Sequence, residues 1–351
     1  MKSPDERCIC SMVALLLLIS CIAITEHAAG QDFLPAPDFA SVSIIGDSGF
    51  KDHPAVSGGR GTERNPWIIE NLKMEDEFLG IFIMDTRDHF VIRNCEIRSS
   101  DSFRAGPGII LNNVTNGKVV GNVIHGNSLG IQVGSSLNIT IEDNLITDSK
   151  EYGIILGVTR NVIIKGNEIR DSGWGGIKLS YSVQSTVLSC KLEDNWGYGI
   201  FMAAVGESKI MGNTMNRNPY GLFLRDSDEN GIFGNEIAHN EHGIHLERSW
   251  NNTIYNNNFI NNTQHAFEEY RNSWYNTSLE SGNYWDDHTG TGPYPISGNS
   301  SADQYPSAMP FELYYEDSSA NLIPVIAVLA VAVALVVTVV LLRRRDRKKM
   351  G

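Results

Sequence analysis

Along most of this chain, short runs of alternating apolar and polar residues restart in phase every 22 or 23 residues. Each restart is Gly, an aliphatic residue, any residue, then a second aliphatic. The series runs Gly80-Ile81, Gly108-Ile109, Gly130-Ile131, Gly153-Ile154, Gly176-Ile177, Gly199-Ile200, Gly221-Leu222 and Gly243-Ile244, and a degenerate Ala266-Phe267 closes it. Only the step from Gly80 to Gly108 is longer. Alternation of period two predicts strands. A unit this short cannot enclose a core, so each must be one rung stacked on its neighbours. The expected fold is all-β: a right-handed, single-stranded parallel β-helix, because parallel crossovers are right-handed in nearly every case.

In the coil that starts at Gly153, Ile154, Leu156, Val162, Ile164 and Ile169 are the expected inward residues. Leu222, Leu224, Ile232 and Ile237 repeat them further on. At about 4.8 Å per rung, eight to ten coils give a rod of roughly 40–45 Å. Asn122, Asn144, Asn167, Asn213 and Asn235 recur two residues before an apolar position. Asn tolerates the left-handed backbone of a tight turn, and stacked amides can hydrogen-bond along the axis. Cys95 and Cys190 fall in the same column, four rungs apart. That is about 19 Å on the rung spacing, so both are expected free and buried. The Ser99–Pro107 stretch fills the long step and reads as a loop leaving the solenoid at a turn.

The two ends follow other patterns. Residues 1–30 carry Lys2 and Arg7, an apolar run from Met12 to Ile24, then Ala28-Ala29-Gly30, the layout of a secretory signal. Leu18-Ile19-Ser20-Cys21 also admits a lipobox reading. Leu322–Leu342 is free of charge and, at 1.5 Å per residue, spans roughly 31 Å. Arg343-Arg344-Arg345-Asp346-Arg347-Lys348-Lys349 follows, and a basic flank stays in the cytoplasm. The expected organisation is signal 1–30, N-terminal cap 31–64, β-helix 65–280, C-terminal cap and linker 281–320, transmembrane helix 321–342 and cytoplasmic tail 343–351. The chain is thus expected at the cell membrane, single-pass, with its ectodomain outside.

Net charge is −13; the tail contributes +5 and the leader −1, leaving about −17 on the ectodomain. Such a surface disfavours a nucleic-acid partner. Six Asn-x-Ser/Thr sequons, at Asn113, Asn138, Asn251, Asn261, Asn276 and Asn299, are candidate glycosylation sites.

Three constellations carry possible chemistry. Asp148, Asp171 and Asp194 share one place in successive rungs, followed by Arg217 and His239. Stacked carboxylates suit Ca2+ or glycosidic-bond chemistry, with Arg217 or Lys178 as a lyase base. Alternatively, each Asp serves its own turn. Tyr152, Trp174, Trp196, Tyr198 and Tyr220 precede repeat glycines, and Phe201 and Phe223 lie on the following strands. Together they form a candidate sugar platform or a stacking device. His239, His242 and His245, with His265 read as one rung beyond His242, are candidate ligands for copper or zinc. No Asn-Thr-Asp, Gly-His-Gly and Arg-Ile-Lys set occurs, nor an Asp-Pro-His motif.

The flanks add Gly61-Thr62-Glu63-Arg64-Asn65-Pro66-Trp67-Ile68-Ile69-Glu70, Asn252–Asn257, Gly282-Asn283-Tyr284-Trp285-Asp286-Asp287, Pro293-Tyr294-Pro295-Ile296 and Asp303-Gln304-Tyr305-Pro306. Over roughly residues 61–306 this resembles the NosD-like right-handed β-helix proteins, especially membrane-anchored archaeal members. The resemblance implies an extracytoplasmic β-helix of the carbohydrate-binding and sugar-hydrolase type. Founding members are associated with copper supply to nitrous oxide reductase. This chain departs from them in the short His288-Thr289-Gly290-Thr291-Gly292 stretch and in its own membrane anchor. Trp67, Tyr284, Trp285 and Tyr294 are expected to cover the terminal rungs, since open strand edges invite aggregation. The functional expectation is a surface protein that binds glycans or envelope components. The alternatives are a polysaccharide lyase, hydrolase or epimerase, and a copper-handling accessory protein.

Overall fold

Three sheets, parallel except where Val56–Gly58 pairs antiparallel with Trp67–Glu70, form the wall of the solenoid in the computed structural model, which describes residues 41–75, 78–100 and 105–312. The leader, the apolar run 322–342 and the basic tail lie outside these residues, as does part of the Ser99–Pro107 loop. Among the described residues, no helix is long and apolar enough to cross a membrane. Each coil gives one strand to each sheet in turn. Ile81–Met84 enters sheet 1, Phe90–Arg93 sheet 2 and Glu96–Arg98 sheet 3, before Ile109–Asn112 returns to sheet 1. Sheet 1 has 11 strands and the others 10 each. Strands of the sheets also occur outside 65–280. Val42–Ile45 pairs with Ile81–Met84, and Tyr284–Trp285 pairs with Asn258–Ile260.

The inward residues stack like over like. Ile131, Ile154, Ile177, Ile200, Leu222 and Ile244 form one buried column, and Val133, Leu156, Leu179, Met202, Leu224 and Leu246 another. Val162, Ile164, Ile169, Ile232 and Ile237 close the interior from the other two sheets. Each such side chain contributes about 1.5–3 kcal/mol when taken out of water. The repeat glycine is needed for closeness of packing. A Cβ on Gly176 would sit 2.8 Å from the Gly199 carbonyl oxygen and 3.0 Å from Leu192, and one on Gly221 would sit 2.9 Å from Ile237.

Buried polar ladders run along the axis; three among the described residues are rich in Asn, the Asn/Cys column being one, beside a Ser/Thr column that includes Thr159, Ser182, Ser227 and Ser249. In the Asn/Cys column, the backbone N–H and side-chain amide of Asn122 both donate to Asn144 Oδ1, and Asn144 donates to Asn167 in the same way. Asn213, Asn235, Asn257 and Asn283 continue the line. Cys95 and Cys190 occupy two of its rungs, where their N–H groups donate to Asn122 and Asn213. Both thiols are free and buried, and burial pushes each up to about 11. The second ladder passes from Ser172 through Asn195, Asn218 and Asn240 to Asn262. The third passes from Ser208 through Asn230 and Asn252 to Asn272.

The bonds from each ladder residue to the next all run toward the C-terminal rung, while the amides also donate back to carbonyls of the preceding coil, so the last residue of each ladder needs an acceptor beyond it. A carboxylate only accepts, which suits it to the position. Asp303 Oδ2 receives Asn283 N–H at 2.7 Å and the Trp285 indole at 3.0 Å. Glu268 Oε2 receives the Asn272 N–H and amide and the Trp274 indole, at 3.1, 3.1 and 2.9 Å. The second ladder ends where the Asn262 amide meets His265 Nδ1 at 3.2 Å. Above these groups, Trp285 stacks between Phe259 and Tyr294, each 4.1 Å away.

The register of the last rung corrects the expected close of the repeat. Ile244 pairs with Ala266 and His245 with Phe267, so Ala266 stands in the aliphatic place rather than the glycine place. His265 therefore follows Gly243, and Glu268 follows the inward Leu246.

Candidate functional site

Tyr198–Ala203, Tyr220–Arg225, His242–Glu247 and Gln264–Glu268 are adjacent strands of sheet 1. Their alternation turns two columns outward. Tyr198, Tyr220, His242 and Gln264 form the first, and Phe201, Phe223, His245 and Phe267 the second. The rings interlock. Tyr220 stacks on Tyr198 at 5.4 Å and on His242 at 4.6 Å, while His245 stacks on Phe223 at 5.0 Å and on Phe267 at 4.6 Å. Edge contacts at 5.3–5.8 Å, such as Tyr220–Phe223 and Tyr220–His245, join the columns. Offset and edge-on geometries at these distances are the favoured ones for aromatic pairs.

Cations border the rings. Lys178 lies 5.5 Å from the Tyr152 ring and 5.6 Å from that of Phe201; Arg225 lies 5.3 Å from Phe223. The Arg225 guanidinium is held by Glu247 at 2.8 Å, and that hydrogen bond lowers the Glu247 carboxyl below its usual range. Burial and the neighbouring His242 lower the His245 imidazole. Its Nδ1 is buried without a hydrogen-bond partner. Burial raises the Tyr220 phenol.

The structure divides the expected ring set. Tyr198, Phe201, Tyr220 and Phe223 belong to the face. Tyr152 is buried, its phenol pushed up to about 12 by burial, and meets Trp174 edge-on at 6.1 Å. Trp174 and Trp196 stand in the turn, 56% and 78% exposed. His242, His245 and Phe267 complete the face. The two histidines stand in the repeat at the places of Tyr220 and Phe223, whereas Phe267 is displaced by one residue in the expected register of the last rung.

The acidic column is a turn column. Asp148, Asp171, Asp194, Arg217 and His239 all have φ between 54° and 59°. The acids are also spent separately. Asp148 pairs with His125 at 3.1 Å, Asp171 with Arg170 at 2.9 Å, and Asp194 with the Arg217 fork through two bonds of 2.7 Å. Arg217 holds the Asp194 carboxyl below its ordinary range. A shared calcium or a catalytic carboxylate pair needs acids aimed at one point; here each acid has a separate partner, His125, Arg170 or Arg217.

The four histidines do not form one site. His239 is in the acidic turn column, and His242 and His245 are in the ring face. His265 is not one rung beyond His242, where Gln264 stands, but is turned inward, beside Asp286 Oδ1 at 2.9 Å and Asp287 at 3.5 Å. Among the described residues, His265, Asp286 and Asp287 are the one group of three or more His, Cys, Asp or Glu whose ligand atoms lie within 4.8 Å of one another.

The ladder argues against a metal there. Asn262 Oδ1 accepts from Asn240, so its amide nitrogen must face His265 Nδ1 and Ile237 O. Nδ1 is then the acceptor, and the imidazole proton sits on Nε2, the atom aimed at Asp286. Binding a metal at Nε2 would turn an Nδ1–H against an amide NH2. The donors are also hard carboxylates plus one imidazole, unlike the thiolate and thioether sets that select copper(I). Among the described residues, this group does not fit copper(I).

Five sequon asparagines, Asn113, Asn138, Asn251, Asn261 and Asn299, are exposed, whereas Asn276 is half-buried. The Asn276 Oδ1 accepts from Ser278 and Leu279 N–H.

Among solved structures, the periplasmic alginate epimerase AlgG is similar at 17% identity and a TM-score of 0.45, over 65% of this chain and 65% of that one. The A-module of Azotobacter vinelandii mannuronan C-5 epimerase AlgE6 is similar at 12% identity and 0.33, over 58% and 68%. The Dettilon tailspike protein gp208 is similar at 14% and 0.42, over 57% and 54%. The chain thus spans just under two thirds of the alginate epimerase, and these likenesses concern the fold alone. No curated protein matches the sequence. The family described as periplasmic copper-binding protein (NosD) matches residues 59–161 and 93–290, most of the solenoid. With its stacked parallel coils and this match over more than half its length, the chain belongs to the NosD family of right-handed β-helix proteins.

Proposed function

We propose that this protein is a glycan-binding surface protein whose binding face is the ring ladder on the outside of sheet 1. One observation carries the reading: rings from four successive strands stand outward in two columns, with Lys178 and Arg225 beside them. A sugar chain offers CH faces to rings and hydroxyls to amides, phenols and cations. The rung spacing of about 4.8 Å is comparable with the length of one sugar unit, so a chain lying along the axis would meet the same groups repeatedly. Half-buried rings in register still present a continuous apolar surface, which marks an interaction site more strongly than a single exposed side chain does.

The residue pattern at the ends supports a location outside the cell, with 322–342 as membrane anchor and the basic tail in the cytoplasm. Protease applied to intact cells should digest the solenoid and spare Arg343–Gly351. Copper handling, the property named in the family description, is not supported by the donor groups among the described residues, and no copper step is assigned to it.

Binding of the full chain to a panel of neutral and acidic oligosaccharides tests the reading. Tyr220→Ala removes the ring at the centre of the ladder and should weaken binding at least about tenfold, as truncation of a central aromatic anchor does. Unchanged affinity would place the binding elsewhere.

A further inference from the structure

A second surface, of different chemistry, lies at the C-terminal end of the solenoid. An open hollow of about 770 Å3 is bounded by Asn251, Arg271, Tyr275, Asn299, Ser300 and Gln304, with Asn252 and Asn272 among its lining. That volume lies within the roughly 300–1,000 Å3 typical of small-ligand sites.

We infer that this hollow receives an anionic sugar residue, carrying a carboxylate or a sulfate, with Arg271 as the partner of the charge. No Asp or Glu lines it, although the ectodomain carries about −17. Five arginines of the solenoid are spent on carboxylates, Arg93 on Glu70, Arg170 on Asp171, Arg217 on Asp194, Arg225 on Glu247 and Arg248 on Asp226, while Arg160 bonds the neutral Gln184 side chain. Among the described residues, Arg271 has no acidic partner. Its planar fork of donors matches a carboxylate or sulfate edge.

The lining divides into fixed and open groups. Asn252 and Asn272 are saturated by their ladder and by backbone carbonyls. They cannot turn toward a ligand without breaking buried hydrogen bonds. The side chains of Asn251, Asn299, Ser300 and Gln304 and the Tyr275 hydroxyl make no such bonds among the described residues. The Tyr275 ring, edge-on to Tyr305 at 5.4 Å, adds an apolar face. One unpaired guanidinium, several open neutral polar groups and one ring suit an acidic sugar and do not suit a metal ion.

The test uses the full chain carrying Tyr220→Ala, so that failure here is separable from failure of the ring-face reading. It is made in a host that does not glycosylate, because Asn251 and Asn299 are sequon positions. Three probes are titrated: a hexuronate oligosaccharide, its carboxyl-reduced neutral counterpart, and a sulfated oligosaccharide. A charged probe should bind at least about tenfold tighter than the neutral one, and Arg271→Gln should abolish that preference, as expected for hydrogen bonds to a charged group. Whichever charged probe binds tighter identifies the anion. Equal binding of charged and neutral probes, or a preference that survives Arg271→Gln, overturns the inference.

Discussion

Two columns repeat along this solenoid with nearly the same period and arrive at opposite ends. The turn column Asp148–Asp171–Asp194 carries charge, yet each acid bonds to a separate basic side chain of its own or a neighbouring rung. The ring columns on sheet 1 are packed against one another along their length but keep half-buried rings and cations at the surface. Periodicity alone therefore does not mark a site. What matters is whether the repeated groups are used up within the structure or left facing outward.

The comparison breaks most visibly at Phe223, which is 5% exposed and touches Tyr198, Phe201, Tyr220 and His245. Phe223→Ala should cost about 2–4 kcal/mol, near the lower part of the range for large-to-small changes at buried rings. Chemical denaturation measures it, and a loss below 1 kcal/mol would mean that the ladder does not pack as a unit.

His245 gives a smaller effect with a pH signature. Its imidazole lies below the ordinary value in the folded chain, so the folded state binds fewer protons than the unfolded one. Stability is then complete above about pH 6.5, the unfolded imidazole value, and declines as pH falls below it. His245→Phe continues the stack between Phe223 and Phe267. It should flatten that decline and add about 0.5–1.5 kcal/mol, the scale of one aromatic pair. A wild-type melting temperature that is flat between pH 7 and pH 5 would contradict this.

On the turn column the expected effects are slighter. Arg217 and Asp194 are nearly half exposed, so Arg217→Gln should cost under about 1 kcal/mol. The Asp194 carboxyl is depressed in the fold. Its contribution is present above the unfolded carboxyl value and lost as pH falls through the lower folded value. The variant should therefore differ from wild type least in strong acid. Asp171→Asn keeps a residue that accepts the left-handed turn and should change stability by less than about 0.5 kcal/mol. It should also leave melting in a chelator unchanged. A chelator-sensitive wild type would restore the shared-calcium reading.

Much of the solenoid was legible because its signals repeat. The inward aliphatic columns, the Asn ladder with its two cysteines and the Asp turn column all stand at 22- or 23-residue spacing, and rung stacking makes spacing into contact; the left-handed backbone expected at the ladder asparagines falls instead on the residue before each, such as Gly121, Asp143 and Gly166. The last rung was not legible. Aligning Ala266-Phe267 with the glycine-led phrase kept the apolar pattern intact, whereas the true register sets Glu268 over the inward Leu246. A buried carboxylate looks forbidden in sequence. It is allowed here because Asn272 and Trp274 supply its donors, and because a ladder whose residue-to-residue bonds all run one way needs an acceptor beyond its last residue. That one-residue difference carried His265 from the outer face to the interior and separated it from His242. The Asn195–Asn218–Asn240–Asn262 ladder had the same spacing in plain view, but lacks the preceding glycine that drew attention to the first.

Oxidative footprinting of the full chain, with and without a bound oligosaccharide, tests the central claim most directly, because rings react strongly and report position. The account predicts protection of Tyr198, Phe201, Tyr220 and His245 together, with Trp174 and Trp196 little changed. Protection centred on the turn around Asp148, Asp171 and Asp194, with the sheet 1 rings reacting as in the free chain, would contradict it.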